Sequence, residues 1–244
     1  MTAYLTIKRF ILFLTTLLLC NCSENDANHS TVKLSFDDNY VMEWAALISL
    51  FEEYDAKVTF FVCCIGQMSC EEKEAIVELK NAGHSIQAHG ELHVSVNTYM
   101  ANGTYREYLK DEVDENIQQL AALGITPSHF ALPYGEHYKW INLALWRRFN
   151  GLRDVVPAKA YQKAIVSAPE SYRNRRWIAS AELENQNFDR YPWDNIAASL
   201  REKPATLYLN THRPGVEGRY ELSKNNIRKL LDWGKREGFR FESL

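Results

Sequence analysis

From residue 31 to the C-terminus of this 244-residue chain, short apolar runs alternate with segments of helical spacing, and this alternation constrains the fold more than any other feature. Thr31 to Phe36 and Lys57 to Cys63 are rich in β-branched and aromatic residues. Between them Trp44, Leu47, Ile48 and Phe51 recur at helical intervals, predicting one amphipathic helix from about Met42 to Tyr54. Strand, crossover helix and strand make a βαβ unit, whose two strands run parallel. The pattern continues with a helix from Cys70 to Asn81, stopped by Gly83, and a strand from His84 to Ala88. Thr104 and Glu107 form a capping box that opens a helix with Leu109, Val113, Ile117 and Leu120 facing inward. Strands follow at Phe130 to Leu132, Leu152 to Val156, Trp177 to Ser180, Thr206 to Asn210 and Arg240 to Glu242. Helices are expected near Trp140 to Phe149, Asp194 to Lys203 and Ser223 to Arg236. Six to eight such repeats predict an α/β fold in one domain, a single distorted (β/α) barrel of about seven strands. In a barrel of this kind the loops at the C-terminal ends of the strands carry the chemistry.

Composition narrows the function classes. Hydrophobic residues make up 46% and charged residues 24%, enough to bury a core and too apolar for disorder. The formal charge is −3 and no block of like charge occurs, so nucleic acid is not an expected partner. Lys8 and Arg9 precede an apolar run from Phe10 to Leu19 that ends in Cys20-Asn21-Cys22. A charged start and a short apolar stretch mark a secretory signal, too short for a comfortable span, and the cysteines after it resemble a lipoprotein box. Residues 1–22 are therefore expected to be a secretory or lipoprotein signal, with lipid on Cys22 or Cys20. Residues 23–30 form a polar tether, and the folded domain occupies 31–244. The protein is expected outside the cytoplasm, as a monomer that meets the membrane only through a lipid anchor. Cys63, Cys64 and Cys70 remain after the signal; Cys63 or Cys64 could bridge to Cys70, and adjacent cysteines on a strand would point to opposite faces.

Four strand ends carry residues able to do chemistry. Asp37 and Asp38 end the first strand, and one carboxylate can hold a cation while its neighbour acts as a base. His89 and His93 follow the third strand with i, i+4 spacing, which on a helical turn puts both imidazoles on one face. One carboxylate and two imidazoles leave coordination positions open, as catalytic metal sites do. The other two features are Pro133-Tyr134-Gly135 after the fourth strand and His212 after the penultimate one.

In this order and at these strand ends, the four features resemble the polysaccharide deacetylase family (NodB homology domain, carbohydrate esterase family 4), with coverage from about residue 31 to the C-terminus. Ser35-Phe36-Asp37-Asp38 is similar to its first motif, which implies Asp37 as catalytic base and Asp38 as metal ligand. His89-x-x-x-His93 is similar to the second, implying both histidines as ligands of a divalent metal, with Zn2+ expected. Pro133-Tyr134-Gly135 resembles the third, whose tyrosine N–H helps hold the oxyanion. Leu209-x-x-His212 resembles the fifth, whose histidine is the general acid. Asp154 and Trp193 are the candidates for the fourth, with Trp193 lining the substrate pocket. The resemblance implies a metal-dependent hydrolase that removes N-acetyl groups from N-acetylglucosamine-containing poly- or oligosaccharides. An O-acetyl esterase on xylan-type glycans and an inactive glycan-binding homologue remain the alternatives.

Two departures from the family pattern matter. Ala131 stands where the third motif opens with an arginine that orients the catalytic aspartate. Arg153, or the cluster Arg173, Arg175 and Arg176, could supply a guanidinium from another loop. Asn39 stands where a glycine follows the aspartate pair, and it tolerates a left-handed backbone better than most residues.

Overall fold

A computed structural model describes residues 29–167, 176–216 and 218–244. The signal, both N-terminal cysteines, most of the tether, Arg173 and Arg175 lie outside the described residues.

The chain begins with β1 (Thr31–Asp38), α1 (Val41–Ala45), α2 (Ile48–Glu53) and β2 (Thr59–Val62). The helix expected over 42–54 is thus two short helices. The break falls at Ala46–Leu47, where the Leu47 N–H bonds to Trp44 only three residues back. Trp44 is fully buried, and its indole N–H donates to the His212 carbonyl at 2.9 Å. Next come α3 (Cys70–Asn81) and β3 (Ser85–Ala88). α3 spans the expected residues and is opened by a Ser69–Glu72 capping box.

A short helix, α4 (Val96–Met100), precedes α5 (Tyr105–Tyr108) and α6 (Glu115–Ala122). The Thr104–Glu107 box caps α5 as predicted, and a wide π-type turn at Leu109–Asp114 joins α5 to α6. After β4 (His129–Ala131) come α7 (Lys139–Leu145), β5 (Gly151–Val156), β6 (Ile165–Ser167) and β7 (Trp177–Glu182). The chain ends with α8 (Asn185–Phe188), α9 (Trp193–Glu202), β8 (Ala205–Thr211), α10 (Lys224–Glu237) and β9 (Arg240–Phe241).

Seven parallel strands close in the order β1–β2–β3–β4–β5–β7–β8 and back to β1. The β1–β8 seam is long, from Thr31 opposite Thr206 to Phe36 opposite Thr211, whereas β3 and β4 pair only at Ala88 and Phe130. This uneven pairing distorts the barrel. β6, which the sequence pattern did not foretell, runs antiparallel against β8. Strands buried on both faces explain the continuous apolar runs: all four residues of β2 and all seven of β8 are buried. The aromatic layer beneath the barrel's first crossover stacks Phe60 on Phe36 and on Trp44, with ring centres 5.4 and 5.1 Å apart. Among the described residues, no helix is long and apolar enough to cross a membrane.

Candidate active site

The C-terminal ends of β1, β3, β4, β7 and β8 converge on a cavity of about 220 Å3. Asp37, Asp38, His89, His93, Tyr134 and His212 all line it, so six of the eight motif residues singled out from the sequence meet at one mouth. On a regular strand Asp37 and Asp38 would face opposite sides. Asp38 instead has φ of 87°, a left-handed conformation that costs a non-glycine residue energy and turns its carboxylate toward the histidines. The left-handed residue of this turn is therefore Asp38; Asn39, the residue in the glycine position, is not among those with positive φ.

His89 and His93 do not share a helical turn, contrary to the reading of their spacing. Residues 89–95 form a loop, with positive φ at Gly90 (88°) and His93 (50°). Buried carboxylates hold the loop in shape. Glu112, in the wide turn before α6, accepts from the backbone N–H of Leu92 at 2.5 Å and of Val94 at 3.0 Å. Glu91 accepts from Gly66 N–H at 2.6 Å. Gly90 is required here: a Cβ on it would sit 2.4 Å from the Glu112 carboxylate.

The Asp38, His89 and His93 side chains fit a metal ion. Their ligand atoms all lie within 4.8 Å of one another, with Asp38 Oδ1 at 3.5 Å from His89 Nε2 and 3.2 Å from His93 Nε2. His89 Nδ1 lies 3.0 Å from the carbonyl oxygen of Ala131, which can only accept. Nδ1 therefore donates to that carbonyl and leaves Nε2 as the nitrogen that faces the centre, the outer-shell arrangement typical of metal-bound histidine. Burial works against a charged Asp38, but His89, first by its hydrogen bond and then by its charge, outweighs it and holds the carboxyl at about 2. Burial, aided by His89, pushes the His93 imidazole down to about 4. An ionised carboxylate beside a neutral imidazole is the donor set a divalent cation takes.

Beside this cluster, Asp37 Oδ2 receives a hydrogen bond from Arg153 Nη2 at 2.5 Å. Among the described residues, Arg153 is the arginine at Asp37, and it arrives from strand β5 rather than from a loop. Asp37 Oδ1 has no hydrogen-bond partner among the described residues. Tyr134 lies in the turn after β4 with φ of 60°, followed by Gly135 at 63°. For a bulky residue this is strained backbone, and it leaves the ring 64% exposed at the mouth, 4.8 Å from the His93 ring. His212 follows β8 and packs against Tyr220, ring centres 5.2 Å apart. Glu182, at the end of β7, lines the same cavity; its strand was expected to stop at Ser180, so its position was not foreseen.

Trp193 is not brought to this mouth. It starts α9, within about 5 Å of the rings of Phe188, Tyr191 and Trp233, and donates from its indole nitrogen to the Phe188 carbonyl. This cluster lines a separate groove of about 520 Å3 against α10. Asp154, the other fourth-motif candidate, pairs with His137 at 3.3 Å and is not among the cavity residues. All three cysteines of the described residues are free, so neither Cys63 nor Cys64 is bridged to Cys70. The sulfurs of Cys63 and Cys64 lie 3.3 Å apart rather than on opposite faces, because β2 ends at Val62 and Cys64 has a left-handed φ of 59°.

Comparison with known structures supports the architecture. The chain is similar to the carbohydrate esterase family 4 domain of a multidomain xylanase from the hindgut metagenome of Trinervitermes trinervoides, with 13% identity over 89% of this chain and 88% of that one, and a TM-score of 0.59. It is also similar to a peptidoglycan deacetylase from Bacillus subtilis, with 15% identity over 90% of each chain and a TM-score of 0.57. The catalytic domain of a peptidoglycan N-acetylglucosamine deacetylase from Eubacterium rectale gives 15% identity over 92% and 93%, and a TM-score of 0.59. At these identities the likeness is one of fold. No curated protein sequence matches the chain. The family model for polysaccharide deacetylase matches residues 24–147, just over half of the chain, and takes in the aspartate pair, both histidines and the Pro-Tyr-Gly turn: the chain belongs to the polysaccharide deacetylase family.

Proposed function

We propose that this enzyme is a metal-dependent N-deacetylase of N-acetylglucosamine-containing poly- or oligosaccharides. The observation that carries this reading is the meeting, in one cavity, of a three-residue metal donor set, a carboxylate with a free oxygen, and a histidine from the end of the adjoining strand β8. Asp38, His89 and His93 would hold the ion, with Zn2+ the expected one. When bound, it supplies Lewis acidity toward the acetyl carbonyl and lowers the pKa of water.

The protein's own groups do the rest. Asp37 takes the proton of the attacking water on Oδ1, while Oδ2 stays engaged with Arg153. Attack converts the planar amide carbon to a tetrahedral oxyanion, toward which the Tyr134 N–H is directed in this reading. His212 delivers a proton to the departing nitrogen, so the products are acetate and a free amino sugar. The Arg153–Asp37 pair also favours turnover over an inert glycan-binding homologue, since it supplies at Asp37 the guanidinium that Ala131 lacks.

The test is acetate release from chitooligosaccharides and peptidoglycan fragments against acetylated xylan, with zinc and with a chelator. The reading expects release from the N-acetylated substrates that the chelator stops. Release from xylan alone would make the enzyme an O-acetyl esterase. Export and lipid attachment at Cys22 or Cys20 belong to the same proposal; mass spectrometry of the mature N-terminus tests them, and a cysteine without diacylglycerol would contradict the anchor.

A further inference from the structure

Arg153 and Asp37 come from strands 116 residues apart and meet inside the barrel, each about 1% exposed. Nη2 is the guanidinium nitrogen that reaches Asp37; Nε and Nη1 are buried with no hydrogen-bond partner among the described residues. The guanidinium carbon lies over the Phe61 ring, 5.0 Å from its centre. For stability alone this is a poor arrangement, because a buried ion pair with unsatisfied donors is usually no better than apolar side chains of similar volume. An arginine kept under these conditions points to a task at the one group it touches.

The space it occupies is explained by the neighbouring strand. Ala131 is the register partner of Arg153 across the β4–β5 pair, so both side chains leave the same face of the sheet. Ala131 is fully buried, and its carbonyl oxygen already receives His89 Nδ1–H. With only a methyl group at 131, a guanidinium from β5 can pass across β4 to Asp37; a long side chain there would compete for that path.

We infer that Arg153 is the positioning residue of the proton acceptor: it fixes Asp37 Oδ2 so that Oδ1 faces the cavity, and Ala131 and Arg153 form a pair whose side chains can be exchanged. This inference rests on the proposed role of Asp37. Its sequence trace is the apolar strand Gly151–Val156 interrupted by an arginine in its buried half.

The experiment compares the zinc-loaded parent with R153L, R153K, the exchange variant A131R/R153A, and D37N. Acetate release from chitooligosaccharides gives kcat and KM, zinc titration gives metal binding, and circular dichroism gives folding. For R153L the expected result is a kcat lower by about 100-fold, as for a reacting group displaced by about an ångström, with KM and zinc stoichiometry little changed. R153K should lie between R153L and the parent. A131R/R153A should regain at least about tenfold over R153L, which loss of a merely structural residue would not allow. A folded R153L with parental kcat overturns the inference. If R153L does not fold, the exchange variant decides: folded and active supports the inference, and folded but as inactive as D37N overturns it. If neither folds, R153K decides: a lowered kcat at unchanged KM supports the inference, and parental kcat overturns it. A parent without acetate release, or a D37N variant with full kcat, removes the proposed function and this inference together; an inactive D37N beside a fully active R153L removes the inference alone.

Discussion

His89 donates from Nδ1 to the Ala131 carbonyl 3.0 Å away, and this bond fixes which nitrogen of the imidazole faces Asp38. A backbone carbonyl at the end of β4 thus sets which nitrogen a proposed ligand at the end of β3 presents, so under the proposed function metal binding would depend on the register of two strands that pair at a single position. Replacing His89 or His93 by alanine should lower zinc affinity by more than the roughly 10–100-fold that loss of an outer-shell partner costs. Isothermal titration of the folded variants checks this, and affinity within about twofold of the parent would contradict the ligand assignment.

Glu112 makes a separate prediction about the loop. Its carboxylate accepts the Leu92 and Val94 N–H groups, so Glu112→Ala would leave two donors unpaired beside His93. Each unpaired buried donor costs about 1–3 kcal/mol, so the variant should lose a few kcal/mol in urea unfolding and also bind zinc more weakly. Loss of stability with unchanged zinc affinity would show that the loop holds its shape without this residue.

Two histidines outside the site set an acid limit on stability. His84 is lowered to about 4 by burial and then by Lys57, and His129 to about 4 by burial and then by Lys33. Above pH 6.5 both are neutral in the folded and unfolded chains and contribute nothing to pH dependence. As pH falls below about 6.5 the unfolded chain takes up the protons and the fold refuses them until about 4, so stability falls across this window. Each group steepens the loss by up to about 1.4 kcal/mol per pH unit. His84→Leu should flatten the urea-midpoint profile between pH 6.5 and 4; a profile as steep as the parent's would contradict the buried neutral form.

Trp193 gives a contrast with the site residues. Its ring packs against Phe188, Tyr191 and Trp233 and is absent from the cavity lining. Trp193→Ala should therefore destabilise the protein by about 1–3 kcal/mol while leaving kcat on short chitooligosaccharides within about twofold. A large drop in kcat at full folding would return Trp193 to the substrate pocket.

Much of this arrangement is legible in the sequence because it is written in local rules. The capping boxes at Ser69–Glu72 and Thr104–Glu107 and the buried strand runs depend on neighbours a few residues away. The parts that were not legible depend on distant contacts. The i, i+4 spacing of His89 and His93 suggests a helical turn, but Glu112, from the wide turn that leads into α6, imposes a loop instead. Periodicity over 42–54 cannot show the break at Leu47, beside a tryptophan anchored to the chain near His212. The arginine that reaches Asp37 is invisible to motif reading, since it sits on the next strand and only the register of β4 with β5 connects it to the gap at Ala131.

The most direct test of the central claim is Asp37→Asn in the zinc-loaded enzyme, assayed for acetate release alongside metal analysis. Asparagine keeps the shape of the side chain and removes the proton acceptor at Oδ1. The account predicts a kcat lower by about 10²–10⁴-fold with the zinc content of the parent. A variant that keeps zinc and turns over at the parental rate would contradict it.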